Sequence, residues 1–199
     1  LPPGERGRVR RALSVLLVVL AAGCSAPSHA VFPATDVQAD APAVPRAPGV
    51  MLHIRVSGGG DRLHVHAEGV NGGEETLRVP SACAETSESP ASATQPFSIA
   101  VRRAPSDVGA FAVYPERGCR DVVVAPFRPG ERRAFDLDWN GTVWSEAFGP
   151  GTPFFAGDHA LDVAFEVYAG AAAEPTPLVA TVPFSILPDG SRNAYLASP

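Results

Sequence analysis

The chain has 199 residues, 45% of them apolar and 19% charged, with 19 glycines and 21 prolines. That composition excludes an ordinary helical domain and suits one domain with many turns. All 16 basic residues are arginine, against 21 acids, for a formal charge of −5. Four of those arginines fall in the first eleven residues, so the rest of the chain is more acidic still. A body of that charge repels polyphosphate, which excludes a sequence-independent nucleic-acid binder, and no nucleic-acid partner is expected.

Residues 1–23 read as a signal peptide. Arg10 and Arg11 precede an apolar run over 12–22 that ends in Gly23 and Cys24. Eleven residues fall short of the roughly 20 that a membrane-spanning helix needs, but match the apolar region of a secretory signal. Leu20, Ala21, Ala22, Gly23 and Cys24 together resemble the bacterial lipobox, in which small residues before the cut admit a peptidase and the cysteine is acylated. The resemblance implies that Cys24 is the mature N-terminus, that the lipid bilayer is a partner through it, and that the protein lies in the cell envelope on the extracytoplasmic side.

Residues 24–48 contain Pro27, Pro33, Pro42, Pro45 and Pro48 and show no apolar period. This predicts a disordered Pro/Ala-rich tether with a reach on the order of 75 Å at about 3.1 Å per residue.

After Pro48 the pattern becomes period two, and residues 49–188 are predicted to be one all-β domain, with 189–199 a flexible tail. Leu52, Ile54 and Val56 alternate with polar residues before Gly58, Gly59 and Gly60, and Leu63, Val65 and Ala67 follow. A turn at Gly59 and Gly60 would set Ile54 opposite Val65 and His53 opposite His66. Further strands are expected around Leu77 and Val79, Phe97 to Val101, Phe111 and Val113, Phe135 to Trp139, Leu161 to Val167, and Leu178 to Ile186. Val122, Val123 and Val124 read as a short buried strand, and Pro183 demotes the last strand to a sheet edge. Nine short strands with turn residues between them mean an antiparallel sandwich or barrel.

Two long interruptions remain, 81–95 and 141–157. The second carries Trp144, Phe148, Phe154 and Phe155, and is expected either to close the core or to form a binding loop. Cys83 and Cys119 are the only thiols besides Cys24, and outside the cytoplasm they are expected to pair. His53, His64 and His66 would face outward on one hairpin near Glu68, a possible weak copper or zinc site. Asp136, Asp138, Asp162 and Glu166 read as a solvated strand face. No nucleophile, base and orienting group converge in the sequence, so no enzyme activity and no cofactor are expected.

Several turn motifs accumulate by this point. Gly69, Val70 and Asn71 form one, Pro129, Gly130 and Glu131 another, and Trp139, Asn140 and Gly141 a third, before Gly157 and His159. Over roughly 61–168 the chain resembles the domain named for an intracellular proteinase inhibitor of bacilli (BsuPI-like). It departs in having Asn140 at the usual acid and His159 at the usual tyrosine. The resemblance implies an immunoglobulin-like antiparallel β-sandwich and carries no inhibitory residue across. The function expected is a non-enzymatic binding or scaffolding module for an unidentified envelope protein, with proteinase inhibition and metal handling as the alternatives.

Overall fold

Alternation of apolar and polar side chains sets the architecture. The computed structural model describes residues 30–83, 96–104, 110–114, 122–145 and 149–188. Among the described residues every regular element is a β-strand, and the sheets are antiparallel. All nine strands expected from the sequence are present, joined by three more.

The first sheet has the order β1 (Phe32–Asp40), β2 (Val50–Gly60), β3 (Arg62–Asn71), β8 (Arg132–Trp139). β2 buries Val50, Leu52, Ile54 and Val56 and exposes the residues between them. Its partner β3 buries Leu63, Val65 and Ala67. The pairing differs by two residues from the expected register. Val56 faces Val65 and Ile54 faces Ala67, because Gly59 stays in the ladder opposite Arg62. The turn is therefore Gly60 and Asp61, with Gly60 at φ 69°, as a type II′ hairpin requires at its first central position. A two-residue shift keeps apolar opposite apolar, but His53 now lies opposite Glu68, and His66 opposite Arg55.

β1 lies inside the segment read as a tether, and that reading is corrected. Residues 35–40 pair in register with β2, from Thr35 opposite Gly58 to Asp40 opposite His53. Phe32 is buried, with its ring 5.5 Å from Trp139 and 6.3 Å from Phe184. Pro33 sits where the register shifts between Phe32 and Thr35, so it interrupts no regular run of the ladder.

The second sheet has the order β12 (Thr176–Ile186), β11 (Gly157–Val167), β5 (Phe97–Arg103), β6 (Phe111–Tyr114). β11 and β12 pair over eleven residues, from Gly157 opposite Ile186 to Val167 opposite Thr176. The two sheets pack face to face through aromatic side chains. Phe97 stacks on Phe135 at 5.8 Å, and Trp139 meets Phe184 edge-on at 5.4 Å. The sheet edges also meet, where the Leu187 N–H donates to the Val31 carbonyl at 2.7 Å.

Two ribbons complete the fold: β9 (Thr142–Ser145) with β10 (Gly149–Pro153), and β4 (Leu77–Cys83) with β7 (Val122–Phe127). The β4 ribbon docks on the end of β11 through reciprocal backbone bonds between Arg78 and Tyr168, 3.1 and 2.8 Å. Those bonds turn the Arg78 N–H and carbonyl away from β7. Pro126 opposite Arg78, and Pro80 two residues along, therefore occupy positions where the ladder needs no N–H. β7 is not the buried strand its valines suggested. Val122 and Val123 are exposed, because among the described residues β7 pairs only with β4. The Leu187 bond likewise turns the N position of Pro183 away from β11, and β12 is the edge its proline predicted.

Candidate functional site

The outer face of the first sheet carries the histidines. Alternation puts His53 of β2 and His64 and His66 of β3 on the solvent side, and each meets an aspartate of a neighbouring strand. His53 Nδ1 lies 2.6 Å from Asp40, His66 Nδ1 2.8 Å from Asp136, and His64 Nδ1 2.9 Å from Asp138. His64 Nε2 also approaches Asp136 at 3.2 Å. A neutral ring donates to only one carboxylate, and protonation adds the second donor. The hydrogen bond from His66 holds the Asp136 carboxyl below its ordinary value, aided by the nearby charge of both rings.

Around these pairs the face is a lattice of opposite charges. Arg55 binds Asp36 with two bonds of 2.9 Å, and Arg132 lies 3.0 Å from Glu68. His53 and His66 do not stand opposite each other as expected. The shifted register gives His53 to Asp40 and sets it beside Glu68, away from His66. No group of three histidine, cysteine, aspartate or glutamate side chains stands at metal-binding spacing among the described residues. A groove of about 290 Å³ adjoins this face, lined by Arg62, Leu137, Asp138, Asn140 and Thr142.

The aromatic segment divides. Phe154 is buried, edge-on to Phe111 at 5.5 Å and to His159 at 4.6 Å, and its N–H donates to the Gly141 carbonyl at 2.8 Å. It closes the core. Phe155 is 68% exposed. The side chain of Trp144 and all of Phe148 lie outside the described residues. Cys24 and Cys119 also lie outside them. Cys83 ends β4 opposite Val122, three residues past Cys119 in the chain.

Two turn motifs far apart in sequence come together at a buried asparagine. Asn71 Nδ2 donates to the carbonyls of Phe127 at 2.8 Å and Glu75 at 2.9 Å, and its Oδ1 accepts the Gly73 N–H at 3.1 Å. Its backbone accepts from the Gly130 N–H at 2.7 Å and donates to the Glu131 carbonyl at 3.0 Å. Asn71 thus ties the β3 exit to the turn before β8.

Sequence reasoning missed Asp36 and Asp40 as partners, because the strand that presents them was not recognised. It also gave no role to His159. This ring is buried between Phe154 and Phe184, its Nε2 donates to the Phe155 carbonyl at 2.7 Å, and its Nδ1 has no partner among the described residues. Burial lowers its pKa from the ordinary histidine value, and Arg103, opposite it in the ladder, acts in the same direction. The hydrogen bond to the Phe155 carbonyl opposes the shift, and so, more weakly, does Asp158, itself held by the Ser185 hydroxyl at 2.7 Å. Because the folded value is the lower one, the unfolded chain takes up the proton first. Stability from this site is complete above about pH 6.5 and declines as the pH falls below it. Urea midpoints measured across that range should fall less steeply in His159→Phe than in the parent, and equal slopes would rule the ring out as the cause.

No family model matches the chain, and no curated protein matches it.

Proposed function

We propose that the chain is a bacterial envelope lipoprotein, anchored through acylated Cys24, whose β-sandwich is a non-enzymatic binding module. The observation that carries this reading is the order of parts at the N-terminus. A charged start, an apolar run over 12–22 and Gly23-Cys24 lead within eight residues to Phe32, which is packed in the core. Among the described residues no helix is long and apolar enough to cross a membrane.

Acyl chains contribute about 0.8 kcal/mol per buried methylene, so two or more hold a protein stably. Cys24→Ala should therefore move the protein from the membrane to the soluble fraction. A variant that stays with membranes after a carbonate wash would sink this reading.

The outer face of the first sheet supports the binding role. Its paired histidines and carboxylates present a polar pattern suited to an envelope protein partner. The turn motifs joined at Asn71 support the resemblance to the bacillar inhibitor domain, and with it an immunoglobulin-like form of the sandwich. On the same reading Cys83 and Cys119 form a disulfide near the open end of the β4–β7 ribbon. Closing a loop of 35 residues adds about 3–4 kcal/mol in the chain-entropy picture. Alkylation without reductant should leave both thiols unlabelled, and labelling of either removes the bridge.

A further inference from the structure

We propose that the end of the sandwich nearest Cys24 rests on the lipid bilayer, with Phe155, Leu187 and Val31 seated at its headgroup boundary. This rests on the lipid anchor proposed above and adds a second contact, made by the folded body itself.

Three exposed apolar side chains gather at that end. Phe155 is 68% exposed, Leu187 42% and Val31 37%. Val31 and Leu187 are bonded to each other across the two sheet edges. Gly157 pairs with Ile186, so Phe155, two residues earlier, leaves the sheet at the level of Leu187. The Phe154 N–H bonds to Gly141, and Gly141 lies against Ala30, the first described residue. The patch therefore surrounds the point where the chain enters the body.

Chain length fixes what faces this patch. Five residues separate Cys24 from Ala30, a span of at most about 20 Å over the six steps when fully extended. A lipid on Cys24 therefore holds this end, and no other, close to the membrane surface. Aromatic and aliphatic side chains presented there gain by entering the interface. Met51, also exposed, is nine residues along β2 from Gly60, about 30 Å away at the opposite end.

The charges nearby are mixed. Arg62 and Asp61 sit at the β2–β3 hairpin, and Arg103 and Asp158 flank His159. With no excess of cations among the described residues there, the contact is apolar and does not depend on anionic lipid.

The test uses the full-length acylated protein in phosphatidylcholine vesicles containing a photoactivatable phosphatidylcholine, with adducts mapped by mass spectrometry. Flotation with the vesicles is scored first. Adducts at Phe155 and Leu187 should exceed those at Met51 several-fold, and Phe155→Asp should lower the Leu187 adducts while flotation persists. Flotation with adducts no richer at this end than at Met51 overturns the docking and leaves the anchor standing. Protection of Phe155 from a water-soluble label without lipid adducts assigns the patch to a protein partner or a second copy, and also overturns it. Failure to float overturns the anchor and the docking together.

Discussion

Phe165→Ala is expected to destabilise the body by about 3–5 kcal/mol, the usual range for deleting a buried aromatic ring. Phe165 is fully buried in β11. Its ring contacts Phe97 at 4.9 Å and Phe127 at 5.6 Å, and so holds the second sheet to the end of the β4–β7 ribbon. On the opposite side it lies over Gly69 of β3, where an added Cβ would stand 2.5 Å from the ring. The same contact makes Gly69→Ala an overpacking change worth about 1–3 kcal/mol. Because both changes act on one space, they should not add. Phe165→Leu combined with Gly69→Ala should cost less than the sum of the single variants, and urea denaturation of all four proteins measures the coupling. Strict additivity would mean that ring and glycine are not in contact.

Asn71→Ala is expected to cost about 2–3 kcal/mol, because it strands buried backbone groups rather than removing apolar surface. The carbonyls of Phe127 and Glu75 lose the Asn71 donor, and the Gly73 N–H loses its acceptor. Asn71→Asp should not rescue the loss. It keeps an acceptor for Gly73 but offers no donor to Phe127 or Glu75. Thermal unfolding should show both variants melting early, and a protease should cut near residues 72–76 in them sooner than in the parent. Parent-like melting of either variant would show that the asparagine is dispensable.

Alternation located eight strands, and an apolar run the ninth, because Leu, Ile, Val and Phe mark inner faces strongly. β1 escaped notice because its inner positions are Val37 and Ala39, its outer ones Asp36, Gln38 and Asp40, and Pro33 stands at its start. Small apolar residues beside a proline look like a linker until a neighbouring strand supplies the hydrogen bonds. Missing β1 hid Asp36 and Asp40, and so hid the partners of Arg55 and His53. The hairpin register was legible in parity alone, since Gly58, Gly59 and Gly60 allow more than one turn. Val122–124 misled because an apolar run reports only that a strand is favoured, not that something covers it. Asn71 was visible as part of a motif, but its role depends on residues 56 positions away.

The bond between Val31 and Leu187 has a consequence for the order of assembly. It joins the first strand of the body to the last, across nearly the whole described chain. Phe32 and Trp139 both finish their packing against Phe184, which a chain synthesised N-terminus first adds after both of them. Closing so large a loop is entropically costly and gives no return until the final strand arrives. The early strands must therefore wait, partly unpaired, with apolar faces uncovered. A nascent chain stopped before β12 would leave those faces open to chaperones and proteases, and seam closure would be the event that commits the molecule to its mature form.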